Sequence, residues 1–380
     1  MLDYTKRLAA VQSAMAAQKV DLMFLPYSAN LNYVTGIERE EQNFGNTMYP
    51  GDWMMGAWIA PGRAPVLTLP RMQAEFHGTV AGYDVRVLPD AGDPVVLVGE
   101  VIAGLGVSGA ATVAIEDRAR AETGLHIQSL LLQARFSSAS DIMRPLRVIK
   151  SEDELAILRK AGEITEAAYV ATLGNLRHGM TTLDLITEVN FQLKKHGSLA
   201  PSFQTSFYNM GRNFPFDFHN KEEVLLIPLA PPVSISFDFG SVLDGFCYDY
   251  GRSVYFGEPD AEYRKIYGLV IASQAAGIAA LKAGNTCEQA DAAARAVIAD
   301  AGYGYAFRHR LGHGIGMDVH EPPFLTNGST TVMKPGMCFT IEPSIFAPHQ
   351  FGARVEDIVV VGEQSGIALT TQFKELKVIG

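Results

Sequence analysis

The chain has 380 residues, 48% apolar and 19% charged, a balance that is globular rather than disordered and long enough for two domains. A formal charge of −10 and a pI near 5.4 leave no electrostatic footprint for nucleic acid or for an anionic membrane surface. Three cysteines, Cys247, Cys287 and Cys338, show no paired spacing, so no disulfide framework is expected. The N-terminal stretch has no continuous apolar h-region, and no window approaches the ~20 uninterrupted apolar residues of a membrane span. The expectation is a soluble, cytoplasmic protein with no nucleic-acid and no membrane partner.

In chain order, "YTKRLAAVQSAMAAQK" places Leu8, Val11 and Met15 at helical spacing, and "DLMFLP" follows as a short apolar strand. "GAWIAPG" and "PVLTLP" read as strands closed by Gly and Pro, "RMQAEFHGTV" as a helix start, "ATVAIED" as a buried strand and "GLHIQSLLLQAR" as a helix. This first part is a small α/β domain without a catalytic cluster. The boundary falls near "DIMRPLRVIKSEDELAILRKAG", where Ser151 and Glu154 form a capping-box pattern ahead of a long amphipathic helix.

Beyond it, "LRHGMTTLDLITEVNFQLKKHG" aligns with "LKAGNTCEQADAAARAVIADAG" at an offset of 105 residues. Leu176, Gly179, Thr181 and Gly197 match Leu281, Gly284, Thr286 and Gly302. Each copy reads as a helix ending at Gly, a Thr capping the next helix, and a second Gly stop. Strand-rich sequence follows each copy, which implies two α+β halves with a ligand site where they meet.

The chemistry-bearing residues lie on those strands. "SISFDF" and "FCYDYGRSVYF" flank "LDG", a hairpin signal. Asp238 and Asp249 fall on one face of that hairpin, with Phe237 and Tyr248 pointing away. Two carboxylates on one apolar face repel and are costly to bury unless a cation sits between them. "GMCFTIEPSIF" places Glu342 after an apolar run, and "ARVEDIVVVG" places Glu356 on a strand with Ile358 and Val360 on its face. In "LGHGIGMDVHEPP", His313 and His320 stand seven residues apart among glycines. Its spacing is not GxGxxG, and "MDVHEPP" cannot open a helix, so a dinucleotide cradle is a poor reading. Hard oxygen ligands with one imidazole are what a pair of divalent ions needs.

Asp238, Asp249, His313, Glu342 and Glu356, in that order and in the segments "FDFG", "YDYGRS", "HRLGHGIGMDVHE", "FTIEP" and "RVEDIVVV", resemble the pita-bread metallopeptidases. That group comprises methionine aminopeptidase, aminopeptidase P and prolidase, with creatinase as a metal-free relative. The resemblance implies a creatinase/prolidase-like α/β N-terminal domain over residues 1–145. Over 146–380 it implies an α+β pita-bread catalytic domain with an internal pseudo-two-fold duplication. It implies two divalent metal ions, Mn²⁺ foremost and Co²⁺ or Zn²⁺ as alternatives. Asp238 would bind one ion, Asp249 and Glu356 would bridge both, and His313 and Glu342 would complete the shell.

The resemblance further makes Glu342, His309 and His320 catalytic. His219, His309, His320 and Arg354 would be substrate-side residues, with Arg354 also steadying a ligand carboxylate. The implied reaction is hydrolysis of Xaa-Pro peptide bonds through a metal-bridging hydroxide, in a homodimer. Phe203, Phe207 and Tyr208 are candidates for a proline slot, and Trp53 with Glu38, Glu40 and Glu41 for a loop that reaches a partner's pocket. Two positions depart from the peptidase pattern: Gly251 stands where Thr is usual, and Ser344 where Gly is usual. They keep open an alternative on the same scaffold, a hydrolase of a non-peptide C–N bond or a lyase acting on a small osmolyte-like compound. A non-catalytic binding protein is a third reading, though such proteins typically lose ligands and here none is lost.

Overall fold

Period-two and continuous apolar runs in the first part of the chain become one mixed sheet in a computed structural model, which describes residues 2–39, 51–77, 80, 82–88, 90–212, 214–215, 224–370 and 372–380. The chain divides into two compact units, Met1–Arg147 and Val148–Gly380. In the first, β1 (Leu22–Pro26), β2 (Gly56–Ile59), β3 (Val66–Pro70), β4 (Asp84–Leu88), β5 (Thr112–Ile115) and β6 (Arg135–Ser138) run in the order β4-β3-β2-β1-β5-β6. β1 lies at the centre and is apolar on both faces because both are covered: Leu22, Met23, Phe24 and Leu25 are all fully buried. The helix Tyr4–Ala17 buries Val11 and Met15 at the expected spacing.

Trp53 corrects an expectation. It is buried, stacked on His126 with ring centroids 4.3 Å apart, and part of this unit's hydrophobic core rather than of an outward loop. Trp53 is followed by Met54 and Met55, and a large aromatic surface in such an apolar run is better buried than presented. Glu38 is exposed, whereas Glu40 and Glu41 lie outside the described residues.

In the second unit the repeat is structural. Helices Glu152–Asn175 and Thr182–Lys195 are matched by Ala261–Ala280 and Cys287–Asp300, with the same offset at every boundary except the first start. Thr181 and Thr286 each close a capping box, with Asp184 and Gln289. The first helix of each pair stops before its glycine, at Asn175 and Ala280. Gly179 and Gly284, at φ 81° and 88°, instead make the left-handed turn into the cap.

The strands after the first pair are β7 (Ser206–Met210), β8 (Val233–Phe239), β9 (Val242–Leu243), β10 (Phe246–Cys247) and β11 (Tyr250–Phe256). β9 and β10 close on Asp244 and Gly245, both at positive φ, which is the two-residue hairpin the "LDG" signal implied. After the second pair come β12 (Gly312–Gly314), β13 (Glu321–Leu325), β14 (Cys338–Ile341), β15 (Ser344–Ala347), β16 (Phe351–Arg354), β17 (Asp357–Val360), β18 (Ile367–Ala368) and β19 (Lys377–Ile379). One sheet is β19-β11-β8-β7 and the other β13-β12-β14-β17-β18.

A β-bridge stitches the two sheets together: Glu356 N–H donates to the Gly251 carbonyl at 2.9 Å. Just beside it Arg252, fully buried, donates to the Glu356 carbonyl at 2.5 Å and to Asp357 Oδ1 at 2.6 Å. Serines on the strand faces carry β16 across this seam: Ser234 Oγ accepts from Gly352 N–H, and Ser253 Oγ from Arg354 N–H. A pair of metal-ligand candidates, Asp249 and Glu356, thus sits at the join of two sheets that face each other through backbone.

Candidate metal centre

β8 and β11 pair so that Asp238 stands opposite Gly251. Asp249, two residues before Gly251 at the start of the strand, therefore falls on the same face as Asp238. Phe237 and Tyr248 point into the core, as the alternation requires, and Phe237 packs edge-on against Tyr169 at 5.3 Å. His313 is the middle residue of β12. Gly312 and Gly314 on either side leave room for neighbouring backbone: a Cβ there would meet the Thr340 carbonyl at 1.8 Å and the Glu321 carbonyl at 2.4 Å. The histidine is gripped by its own strand, its N–H donating to Thr340 Oγ1 at 3.1 Å and its Nδ1 lying 3.0 Å from the Gly314 carbonyl. Nδ1–H donates there, which leaves Nε2 as a lone-pair donor aimed at the acids.

That nitrogen lies 3.5 Å from Asp249 Oδ2 and 3.5 Å from Glu342 Oε1. Ligand atoms of Asp249, His313 and Glu356 all fall within 4.8 Å of one another, and all three residues are buried. Asp238 is turned slightly aside, its Oδ1 2.6 Å from Arg354 Nη2 and its Oδ2 3.4 Å from Ser206 Oγ. Arg354 ends β16 while Glu356 lies beyond it. Strand pairing is interrupted at Val355, yet Arg354 Nη2 reaches Glu356 Oε2 at 3.1 Å.

The electrostatics are those of a site built for a cation. Four buried or nearly buried carboxylates, Asp238, Asp249, Glu342 and Glu356, share one guanidinium, which they hold firmly protonated. Burial drives the Glu342 carboxyl up to about 7 and raises Asp249, with neighbouring acids adding to both. Glu356 is raised well above the carboxylate range by burial and by Asp249. Burial opposes charge on His313, but the hydrogen bond to Asp249 and the charge of Glu342 outweigh it and raise its pKa. Asp249 Oδ1 and Glu356 Oε2 are buried with no hydrogen-bond partner. Several buried carboxylates converging on one imidazole nitrogen, with a single guanidinium among them, are a donor set that fits divalent ions.

The other histidines flank this cluster. His320 is exposed, with its ring 4.1 Å from that of His313, and burial, His313 and Arg310 together push its pKa down. His309 has both nitrogens engaged: Nδ1 lies 2.7 Å from the Arg310 carbonyl and Nε2 2.6 Å from Ser344 Oγ. Burial and the nearby Arg354 bring its pKa down to about 4. His219 lies outside the described residues. Of the proposed slot residues, Tyr208 stacks on Phe346 at 5.2 Å with Arg354 over its ring, whereas Phe207 packs inward on Phe237.

Thr340, Ser206 and the His309–Ser344 contact were not singled out from sequence. Ser344 was noted only as a departure from a pattern. Gly251, the other departure, faces the cluster: a Cβ would meet Glu356 Oε2 at 2.8 Å and Arg354 Nε at 3.0 Å, so those side chains fill the space of the missing hydroxyl.

Comparison with known proteins places this geometry. Residues 156–363 match the family model of metallopeptidase family M24, and residues 7–149 match the creatinase/prolidase N-terminal domain. A Xaa-Pro dipeptidase of Lactobacillus delbrueckii subsp. lactis is 32% identical over 386 residues, covering 98% of each chain. The crystal structure of a prolidase from Thermococcus sibiricus superposes with a TM-score of 0.87 at 26% identity over the whole of both chains. A dipeptidase from Pyrococcus horikoshii gives 0.87 at 28% identity, covering 98% of this chain and 100% of that one. No helix among the described residues is long and apolar enough to cross a membrane. With its catalytic unit matched by the family model and its full length by a curated relative, the chain belongs to metallopeptidase family M24 and is a hydrolase whose family works with divalent metal ions.

Proposed function

We propose that the protein hydrolyses Xaa-Pro peptide bonds with two divalent ions held by Asp238, Asp249, His313, Glu342 and Glu356. The observation that carries this reading is the convergence of Asp249, His313 and Glu356 within 4.8 Å in a buried site, where Asp249 Oδ1 has no hydrogen-bond partner among the described residues and Arg354 is the cation beside Glu356. Relatives named as Xaa-Pro dipeptidase and prolidase support the substrate. Oxygen-rich ligation with one imidazole suits Mn²⁺ best, with Co²⁺ or Zn²⁺ as substitutes. When bound, such ions polarise the scissile carbonyl and supply a nucleophilic water near neutral pH.

The chain's own groups do the rest. His320 is exposed beside the His313 ring, with neither ring nitrogen bonded to protein among the described residues, and hydrogen-bonds the substrate carbonyl oxygen. Glu342 stands 3.5 Å from His313 and 3.7 Å from Arg354, placed to carry a proton to the leaving prolyl nitrogen. That nitrogen is a tertiary amide with no N–H, so recognition rests on ring shape. Tyr208 on Phe346 and the His309 ring edge provide apolar walls. Arg354 holds Asp238 and Glu356 in register through the cycle.

The test is turnover of Gly-Pro, Ala-Pro and Ala-Pro-Ala beside a panel of non-peptide amides, after loading Mn²⁺, Co²⁺ or Zn²⁺. Cleavage of a prolyl peptide that is abolished in His313→Ala is the expected result. Turnover confined to the non-peptide panel would favour the alternative C–N hydrolase, and full activity in His313→Ala would remove the site assignment.

A further inference from the structure

Lys150 and Glu321 form an ion pair that no step of the chemistry above uses. They stand 171 residues apart in the chain, with Nζ 3.2 Å from Oε2. Their side chains are only 3% and 10% exposed. Taking both charges out of water offsets most of their attraction, so such a pair adds little net stability; its best-attested use is to select one geometry among alternatives. The geometry selected here is that of the loop carrying His320.

Gly314 pairs with Glu321, which closes residues 315–320 into a loop between β12 and β13. Glu321 reaches back into that loop: its Oε1 accepts from Asp318 N–H at 3.0 Å while its Oε2 accepts from Lys150. The loop backbone lies directly on the pair, for a Cβ on Gly316 would meet Lys150 Cε at 2.9 Å and Glu321 Oε1 at 3.0 Å. Lys150 is itself fixed to the body of the second unit. Its N–H donates to the Gly336 carbonyl at 2.8 Å, Ile149 before it bridges Met337, and Ser151 after it caps the helix Glu152–Asn175. His320, one residue before Glu321, is exposed, with no hydrogen bond at either ring nitrogen among the described residues and its ring edge-on to that of His313. Its imidazole is therefore aimed by its backbone, and the backbone by Glu321. Resting on the role given to His320 above, we propose that Glu321 and Lys150 are positioning residues, a buried clamp on the 315–320 loop that holds the His320 imidazole at the substrate carbonyl.

The test is a double-mutant cycle on the Mn²⁺-loaded enzyme with Ala-Pro as substrate: Glu321→Ala, His320→Ala and the two together. Glu321→Ala should lower kcat about tenfold or more with KM changed less than about threefold, since a donor displaced by an ångström loses that much. In the His320→Ala background the same change should lose nothing further, because the group it positions is gone. Glu321→Gln keeps an oxygen for Asp318 N–H and Lys150 and should recover most of the loss. Calorimetry should give the same Mn²⁺ affinity for native and Glu321→Ala protein. In the metal-free protein, the nuclear Overhauser contact between the His313 and His320 rings should weaken in Glu321→Ala. Removing one partner strands the other as a buried charge. If Glu321→Ala does not fold, the double variant Lys150→Met with Glu321→Gln, which removes both charges, takes its place with the same expected signs. An equal factor lost in both backgrounds, a loss that tracks Mn²⁺ affinity, or an unchanged contact between the rings would overturn the proposal. Full activity in His320→Ala would remove the role it rests on, and the proposal with it. If no prolyl peptide is turned over, the Xaa-Pro reading falls, and the ring contact still decides whether the pair holds His320.

Discussion

Glu356 and Asp357 are neighbours in the chain, and they sit in opposite kinds of surroundings. Asp357 is fully buried and completely partnered. Its Oδ1 accepts from Arg252 at 2.6 Å and Thr370 at 3.3 Å, and its Oδ2 from Gln274 at 2.9 Å and Lys374 at 2.9 Å. Glu356 is equally buried, yet the one cation at its Oε2, Arg354 at 3.1 Å, is shared with the carboxylates of Asp238 and Glu342, and Asp249 crowds the same space. Asp357 opens β17, and Glu356 stands immediately before it, bridged to Gly251. On one side of the seam the chain supplies every counter-charge itself; on the other it withholds them. A buried charge balanced within the chain is architecture, whereas a surplus of one sign is a place for something external.

The largest effect expected from this contrast is on the balanced side. Arg252→Met leaves Asp357 short of its strongest partner and unpins the Gly251 and Glu356 carbonyls. Breaking one member of such a buried pair costs about 3–5 kcal/mol, which urea denaturation of the metal-free protein would read directly. A loss below ~1 kcal/mol would mean that the network does not hold the seam.

The surplus side should respond to metal instead. Mn²⁺ at about a hundred times its dissociation constant should stabilise the native chain by about 2.7 kcal/mol. Glu356→Gln should abolish that gain while leaving the metal-free protein as stable or more stable, because it removes a buried like charge. A Gln variant that keeps the metal-dependent rise in Tm would take Glu356 out of the ligand set.

The two sides also differ in how stability follows pH. In the metal-free chain the Glu342 carboxyl is raised from 4.5 to about 7, and Asp249 and Glu356 are raised as well. A carboxyl with a raised folded pKa binds its proton more tightly folded than unfolded. Its contribution is therefore complete below the unfolded value and lost as pH rises through about 7, a change of up to about 3 kcal/mol for Glu342. With Mn²⁺ bound the acids must be ionised, so the slope reverses and stability falls as the pH drops. Melting curves with and without Mn²⁺ between about pH 5 and 8 should cross or converge at the acid end. Parallel curves would mean that the acids do not titrate against the metal.

Much of the surplus side was legible in the sequence, because each acid or imidazole that breaks an apolar run leaves a visible mark. Asp238 and Asp249 shared a face by strand alternation alone, and the matched Thr caps revealed the duplication. The balanced side was not legible. Arg252 and Asp357 are ordinary charges one residue from better candidates, and their partnership joins positions 105 apart through a bridge that no local pattern encodes. Trp53 failed for a related reason: its burial depends on packing against His126 and the rest of the first unit's core, contacts between positions far apart in the chain. Register within a hairpin is local and can be read, whereas pairing between sheets is tertiary and cannot.

The smallest expected effect tests whether the surplus side is held by bonds of its own. Ser344 is fully buried, and its hydroxyl donates to His309 Nε2 at 2.6 Å, since the other ring nitrogen gives its proton to the Arg310 carbonyl. This neutral pair stands on the strand opposite Arg354, in the midst of the charged cluster. Ser344→Ala removes one neutral hydrogen bond and should cost about 1 kcal/mol, several times less than Arg252→Met. Imidazole nitrogen NMR of the metal-free protein should show His309 keeping its proton on Nδ1 while Nε2 shifts towards the value of an unbonded nitrogen. The tautomer is set by the Arg310 carbonyl, and only the second contact has been lost. A stability loss as large as that of Arg252→Met would mean that the cluster's own bonds lock it as firmly as the Asp357 network, and the distinction between a balanced and a surplus side would fail.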